Sequence, residues 1–130
     1  MSSTMIRRIT PIDLGPKPWG TETLIAKTDT YIGKVLRMKA GHRGGLQFHQ
    51  LKEETFYLYE GTALVTADDG SGHLITRGMF AGDSYHIPPG AVHQVEAVTD
   101  CVFFECSTPH FEDRVNVAAQ YGRVDTGESW

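Results

Sequence analysis

Short apolar runs that alternate with polar residues predict an all-β protein. Gly, Pro and Asp separate these runs at short, regular intervals, and no helical period of 3.6 residues is sustained before residue 111. The rhythm is typical of a β-sandwich or barrel. We expect a short helix or turn within residues 111–121. The strands are predicted at residues 23–27, 31–39, 46–50, 55–59, 62–67, 74–76, 84–87, 92–97 and 101–106.

The chain length predicts a single folded domain. With 130 residues, 40% of them hydrophobic and 22% charged, the chain can bury one core of ordinary size. We divide it into an N-terminal arm (residues 1–19), a barrel (20–108) and a C-terminal tail that packs on the barrel (109–130). The proline-containing arm is expected to run irregularly along the sheet or to pair at its edge, with Trp19 packing in a groove.

The charge balance argues against several partners. Twelve Lys and Arg against 16 Asp and Glu give a net charge of −4, which does not favour nucleic acid or an acidic membrane held by bulk charge. No apolar run approaches the ~20 residues that span a bilayer. The first ten residues contain no apolar segment typical of a secretion signal. The expected location is therefore the cytoplasm.

The two cysteines, Cys101 and Cys106, lie five residues apart in one predicted strand. This separation points them to opposite faces, where a disulfide is geometrically awkward. We predict two reduced, partly buried thiols.

Two polar stretches stand out against the apolar strands. The first contains Gly41, Gln47, His49, Glu54 and Gly61, and the second runs from Gly82 through Pro88 and Gly90 to His93. Gln47 and His49 are two residues apart and therefore share one face of a strand. Glu54 shares its face with the apolar Phe56 and Leu58, whereas Glu53 shares its face with Tyr57. This alternation predicts that Glu54, rather than Glu53, points into the barrel.

Four inward polar side chains of this kind favour a metal. Each would lose a few kcal/mol on burial without a partner. One divalent cation satisfies two imidazole nitrogens, a carboxylate and an amide oxygen together. The predicted ligands are Gln47, His49, Glu54 and His93. The alternative is a hydrogen-bonded polar cluster without a metal.

The two stretches resemble the paired motifs of the cupin superfamily, whose fold is a double-stranded β-helix, or jelly-roll barrel. Gln47 stands where the first cupin motif usually has His, and Ala97 where the second usually has Asn. Gln-x-His followed by Glu and a distant His looks like the zinc site of the mannose-6-phosphate isomerases. In particular, the chain resembles the cupin domain that is fused to mannose-1-phosphate guanylyltransferase. The matching segments include residues 17–20, 40–43, 46–49, 60–63, 87–93 and 121–123.

The resemblance implies one divalent metal ion per chain, with zinc as the first expectation and manganese, iron, nickel or cobalt as alternatives. It implies an aldose–ketose isomerase whose small-molecule substrate is a phosphorylated sugar. Arg43 and Lys52 correspond to cationic positions of that family and are candidate catalytic residues. His86 is a candidate base because it lies just before the second motif. The alternative for all three is an ordinary surface residue.

Other functions and an assembly state remain open on the sequence alone. Two His and one Glu with open positions also suit an iron- or nickel-dependent dioxygenase. A non-catalytic cupin that binds a sugar or another metabolite is a further alternative. Because a barrel this small exposes strand edges, we also expect a homodimer.

Overall fold

Two antiparallel β-sheets packed face to face form most of the structure. The computed structural model describes residues 4–123 of the chain. In chain order, the elements are β1 (Ile12–Lys17), β2 (Gly20–Lys27), β3 (Ile32–Met38), β4 (Gln47–His49), β5 (Glu54–Glu60), β6 (Thr62–Asp68), β7 (Leu74–Phe80), β8 (Ser84–Ile87), β9 (His93–Ala97), β10 (Cys101–Ser107), β11 (Arg114–Asn116) and a 3₁₀-helix (Ala118–Tyr121).

The strand order is that of a double-stranded β-helix. The larger sheet has the order β1-β2-β3-β10-β5-β8, and the smaller has the order β11-β4-β9-β6-β7. From β3 onward the chain crosses between the sheets at each connection except the β6–β7 hairpin, so that most successive strands become opposite walls of one barrel. This arrangement confirms the predicted all-β jelly-roll class.

The core lies between the sheets and follows the predicted alternation. On β5, Phe56 and Leu58 are fully buried, whereas Tyr57 and Tyr59 are exposed. Trp19 is also fully buried within this core, so it packs as predicted. Burial of each large apolar side chain contributes about 1.5–3 kcal/mol, so the inward faces of the strands are strongly fixed.

The observed elements differ from the predicted ones at three places. β1 pairs with β2 at the edge of the larger sheet, and its register shifts between Asp13 and Pro16. This irregularity hides the alternation, and an edge strand tolerates the proline. β7 extends to Phe80, well beyond the predicted residues 74–76. Residues 111–121 contain a short strand as well as the helical turn.

The C-terminal segment covers the outer side of the smaller sheet. β11 pairs with β4 along its whole length, and Val117 and Ala118 pack against Leu46. The residues that follow the barrel in the chain therefore pack against β4, the strand that carries Gln47 and His49, and stabilise its position. Residues 1–3 of the predicted arm and 124–130 of the predicted tail lie outside the described residues.

The cysteines point to opposite faces of β10, as predicted. Both thiols are free, but Cys101 is fully buried and Cys106 is exposed, so the prediction that both are partly buried was wrong. Within residues 4–123, no helix has the length and apolar character needed to cross a membrane.

Candidate metal centre

The four predicted ligands meet at one end of the barrel interior. Gln47 and His49 occupy both ends of β4, Glu54 begins β5, and His93 begins β9. Gln47 and His93 are direct partners in the β4–β9 ladder. All four side chains are buried, with exposed fractions of 3% to 7%. The structure therefore brings together the residues that the motif spacing selected.

Three of the four predicted ligands border a very small cavity, and His49 lies beside it. His49 Nε2 lies 3.5 Å from Glu54 Oε2, and the His49 and His93 ring centroids are 5.8 Å apart. A cavity of about 10 Å³ is bordered by Gln47, Glu54 and His93. A space of this size accepts about one water-sized species. A single ion is thus the largest group that this cavity can take without movement of the side chains.

The outer nitrogens of both imidazoles are engaged in hydrogen bonds. His49 Nδ1 lies 3.0 Å from Asp113 Oδ1, and His93 Nδ1 lies 2.9 Å from the Ala91 carbonyl oxygen. A carbonyl and an ionised carboxylate only accept hydrogen bonds, so each Nδ1 donates one. Each Nε2 therefore carries a free lone pair on the inner side. Metal-binding histidines are commonly oriented in this way.

Burial keeps both imidazoles neutral. Desolvation, followed by the nearby Lys52 charge, lowers the pKa of His49. Desolvation lowers the pKa of His93 to about 4 and outweighs the hydrogen bond to Ala91 and the charge of Glu105, which both act to raise it. At neutral pH both Nε2 atoms are therefore in the unprotonated form that a metal requires.

Lys52 lies inside the barrel, not at the surface beside a bound phosphate. Its side chain is buried, and its Nζ lies 3.1 Å from Glu54 Oε2 and 3.0 Å from Glu105 Oε2. Glu105 also accepts a hydrogen bond from Ser107. Lys52 is thus an internal counter-ion to two carboxylates rather than a surface cation that can meet a phosphate. Residues 50–53 form the turn between β4 and β5, where strand alternation predicts no direction for a side chain.

The two carboxylates respond differently to this environment. Burial, with the charge of Glu105, raises the pKa of Glu54 to about 7. Burial also opposes ionisation of Glu105, but Lys52 and Lys34 outweigh it and lower the pKa of that group. Burial acts to lower the pKa of Lys52, but the negative charges of Glu105 and Glu54 outweigh it and raise that pKa. The cluster therefore contains one firmly ionised pair and one carboxyl group near its titration point.

Two buried atoms on the inner side of the cluster lack a full set of partners: His49 Nε2 forms no hydrogen bond with a described residue, and Glu54 Oε2 is paired with Lys52 Nζ at 3.1 Å. An unsatisfied buried polar atom costs about 1–3 kcal/mol. A divalent cation between them would satisfy both atoms, with His93 Nε2 and the Gln47 amide oxygen as further donors. Within residues 4–123, no three His, Cys, Asp or Glu side chains already have the spacing of a finished metal shell. The donor types and their free lone pairs nevertheless fit a divalent ion.

Arg43 and His86 do not join this cluster. Arg43 lies 4.0 Å from Glu96, which is on the outward side of β9 between the inward Val95 and Ala97. His86 is half exposed, and its Nε2 lies 2.6 Å from Glu53 Oε2 on the outer side of β8. Its neighbour Ile87 is buried, so the inward and outward sides of β8 are clearly distinguished. Glu53 is thus exposed, and the prediction that Glu54 is the inward carboxylate is confirmed.

The sequence analysis missed three features that adjoin the candidate site. Glu105 shares the inward side of β10 with Phe103, so an acidic residue in an apolar alternation could have revealed it. Asp113, the partner of His49, lies in a segment without a recognisable pattern. A cleft of about 360 Å³ also opens beside His93, between β6 and β7 on one side and β8 on the other. His93 borders both this cleft and the small cavity, so the two are neighbours.

The fold and the arrangement of this site define a cupin. The family model described as "Cupin domain" matches residues 34–107, which is more than half of the chain. The chain therefore belongs to the cupin family. No curated protein sequence matches it.

Three solved structures illustrate the similarity. The capsular polysaccharide assembling protein CapF of Staphylococcus aureus has a TM-score of 0.72 at 21% identity, over 84% of this chain and 32% of CapF. KdgF of Halomonas sp. has a TM-score of 0.66 at 18% identity, over 81% of this chain and 90% of KdgF. Oxalate decarboxylase of Bacillus subtilis, an enzyme with Mn(II) centres, has a TM-score of 0.65 at 21% identity, over 82% of this chain and 31% of that enzyme. The chain thus spans about a third of CapF and of oxalate decarboxylase, and at these identities the likeness extends to the fold.

Proposed function

We propose that the chain is a metal-dependent isomerase of phosphorylated aldoses and ketoses. Gln47, His49, Glu54 and His93 would hold one divalent ion, zinc being the first candidate. Bound there, the ion would polarise the oxygens of a sugar and stabilise negative charge at C1 and C2. The observation that carries the proposal is the pair of buried, neutral imidazoles whose outer nitrogens are hydrogen-bonded, so that their inner nitrogens are left for an ion beside the Glu54 carboxylate.

The protein's own groups would prepare this site before any substrate binds. Asp113 and the Ala91 carbonyl fix the two imidazole rings, so little reorganisation is needed on binding. The cleft beside His93 is large enough for a small molecule to approach the ligands from one side. His86 is paired with Glu53 on the outer side of β8, so the proposal does not assign proton transfer to it.

Exchange of the C2 proton is the direct test of this activity. The zinc-loaded protein is incubated with mannose 6-phosphate in D₂O, and NMR follows deuterium incorporation at C2 of this aldose and at C1 of the fructose 6-phosphate that forms. We expect incorporation that a chelator abolishes and added divalent metal restores. His93→Ala serves as the metal-site control and should show none. An absence of exchange with every hexose phosphate, in protein shown to contain metal, would contradict the isomerase.

A binding protein without turnover is the second candidate function. It is favoured by the outward position of His86, the one base that the sequence had offered. Such a protein would bind the same sugar phosphates with measurable affinity but would leave their C2 proton in place. The two candidates therefore differ in one measurement on the same sample.

A further inference from the structure

An exposed arginine faces the cleft beside His93. On β7, Ile75, Arg77 and Met79 alternate with residues of the opposite side, and Met79 is fully buried in the core. Because side chains two apart share one face, Arg77 lies on the inward side of β7. It borders the cleft and forms no ion pair or side-chain hydrogen bond with any residue in the described part of the chain.

The other candidate cations near the site are already engaged. Lys52 is held between Glu54 and Glu105, and Arg43 lies beside Glu96 on the outer side of β9. Among the residues that border the cleft, Arg77 is the one Lys or Arg. A guanidinium without a carboxylate partner can donate two parallel hydrogen bonds to a pair of oxygens on a phosphate or carboxylate.

The strand register fixes how far Arg77 stands from the metal centre. Across the smaller sheet, His93 pairs with Ala67 and Ala67 with Ile75, while Arg77 lies two residues further along β7. Two strand spacings and two residue rises separate the Cα atoms of His93 and Arg77 by about 12 Å. Both side chains project from the inner face of the same sheet. A separation of about 12 Å suits a six-carbon chain that carries a terminal anionic group.

The acidic residues of the cleft lie at its other end. Arg77 pairs with Val65, and Asp69 is four residues beyond Val65 along the chain, or about 13 Å in an extended strand. Asp69 accepts hydrogen bonds from Ser71, and Asp68 accepts them from Gly70, Gly72 and Tyr121. These carboxylates are therefore used in the hairpin between β6 and β7 and do not neutralise Arg77.

We propose that Arg77 binds the anionic end of a small polyhydroxy substrate whose reacting end lies at His93. Tyr85 stacks on Phe56 and borders the same cleft, and its hydroxyl forms no hydrogen bond with a described residue. It offers a donor to the substrate beside the guanidinium. This inference rests on the proposed function for the position of the reacting end, but the anion subsite itself requires only the cleft and Arg77.

Calorimetric titration tests the subsite. Mannose 6-phosphate and gluconate represent the phosphate and carboxylate sources of the anion, and mannose is the neutral reference. For the preferred anion, Arg77→Gln should weaken binding about 10- to 100-fold, since a hydrogen bond to a charged group contributes about 1.5–3 kcal/mol. Binding of mannose should change little, and Arg77→Lys should restore part of the affinity.

Two control variants make the result specific. Arg37 is exposed on β3 between the buried Leu36 and Met38, so it lies on the outer side of the other sheet. Arg37→Gln should leave anion affinity within twofold of the unaltered protein. Unchanged affinity in Arg77→Gln, or a loss in Arg43→Gln instead, would overturn the inference. So would an unaltered protein that binds neither anion at millimolar concentration.

The outcome is separable from that of the isomerase proposal. Anion binding that depends on Arg77, without exchange of the C2 proton, would retain the subsite and reject the isomerase. If the Arg77→Gln variant catalysed the isomerisation with unchanged kcat and KM, the isomerase proposal would be retained and the subsite rejected.

Discussion

The His49 imidazole donates a hydrogen bond from Nδ1 to Asp113 Oδ1 over 3.0 Å, and this bond joins the ligand strand to the segment that follows the barrel. The other oxygen of Asp113 accepts hydrogen bonds from the backbone N–H groups of Leu51 and Lys52. These contacts keep the pKa of Asp113 low despite its partial burial. One carboxylate thus orients a candidate metal ligand and also fixes the turn between β4 and β5.

Asp113→Asn should therefore weaken zinc binding. The substitution removes the charge that holds His49 in its Nδ1-protonated form, and loss of such a partner typically costs 10- to 100-fold in metal affinity. The affinity is measured by competition with a chromogenic chelator. Asp83→Asn is the matched control, because Asp83 also accepts a backbone hydrogen bond in a turn, from Phe80, away from the site. Equal zinc affinity in both variants would contradict the orienting role of Asp113.

Metal retention should differ between substitutions of the adjacent residues Glu53 and Glu54. Glu54→Gln should lose most of the metal, because it removes the charged donor of the cavity. Glu53→Gln changes an exposed residue paired with His86 and should retain it. Metal content after dialysis, measured by elemental analysis, distinguishes the two. The reverse order would show that the charged ligand is not the inward carboxylate.

Lys52→Met should tighten metal binding while it destabilises the metal-free protein. The ammonium lies 3.1 Å from Glu54 Oε2 and repels a divalent ion there, so we expect affinity to rise about tenfold or more on its removal. Without Lys52, two buried carboxylates lack their counter-ion, which costs about 3–5 kcal/mol in comparable pairs. Thermal unfolding with and without zinc should thus show a lower metal-free Tm and a larger zinc-induced rise than in the unaltered protein.

The double variant Lys52→Met/Glu105→Gln is the control for that experiment. It removes the surplus negative charge together with the lysine and should recover part of the metal-free stability. If Lys52→Met alone bound zinc more weakly than the unaltered protein, Lys52 would be supporting the metal site rather than competing with it.

Metal affinity should fall as the pH decreases below neutrality. Burial raises the pKa of Glu54 to about 7, so below that pH the metal-free protein carries a proton that the metal must displace. His93, with a pKa of about 4, remains neutral across this range and contributes no further proton. For one displaced proton with this pKa, the apparent Kd for zinc should rise about 15-fold in total between pH 7 and 5.5. A Kd independent of pH over that interval would contradict this assignment.

Strand alternation explains which parts of the site the sequence could predict. The four predicted ligands lie on strands, where alternate side chains point to opposite faces, so the sequence predicts a face for each: Gln47, His49, Glu54 and His93. Glu54 was chosen over Glu53 because it shares its face with apolar residues. Lys52 lies in a turn, where side chains do not alternate between two faces, so the sequence could not predict its direction. Its burial depends on tertiary contacts with Glu54 and Glu105.

Long-range contacts and strand length account for the rest. Asp113 meets His49 from 64 positions away, and nothing in its local sequence records that contact. Arg77 was missed for a simpler reason, since the predicted strand ended at residue 76 and the observed strand continues to Phe80. Gly78, beside Arg77, weakens the β pattern there, whereas pairing with β6 extends the strand.

The homodimer remains a prediction, and light scattering tests it. The outer side of β5 and β10 exposes Tyr57 and Tyr59, both of which contact the Phe104 ring. We expect twice the chain mass at tens of micromolar. A single-chain mass at that concentration would contradict the dimer.

Elemental analysis of protein purified without added metal tests the central claim most directly. The account predicts one divalent ion per chain in the unaltered protein and loss of most of it in His49→Ala and in His93→Ala. Circular dichroism of each variant provides the accompanying check that the β-fold is retained. Full stoichiometric metal in both folded variants would contradict the account, because the ion would then be bound elsewhere in the chain.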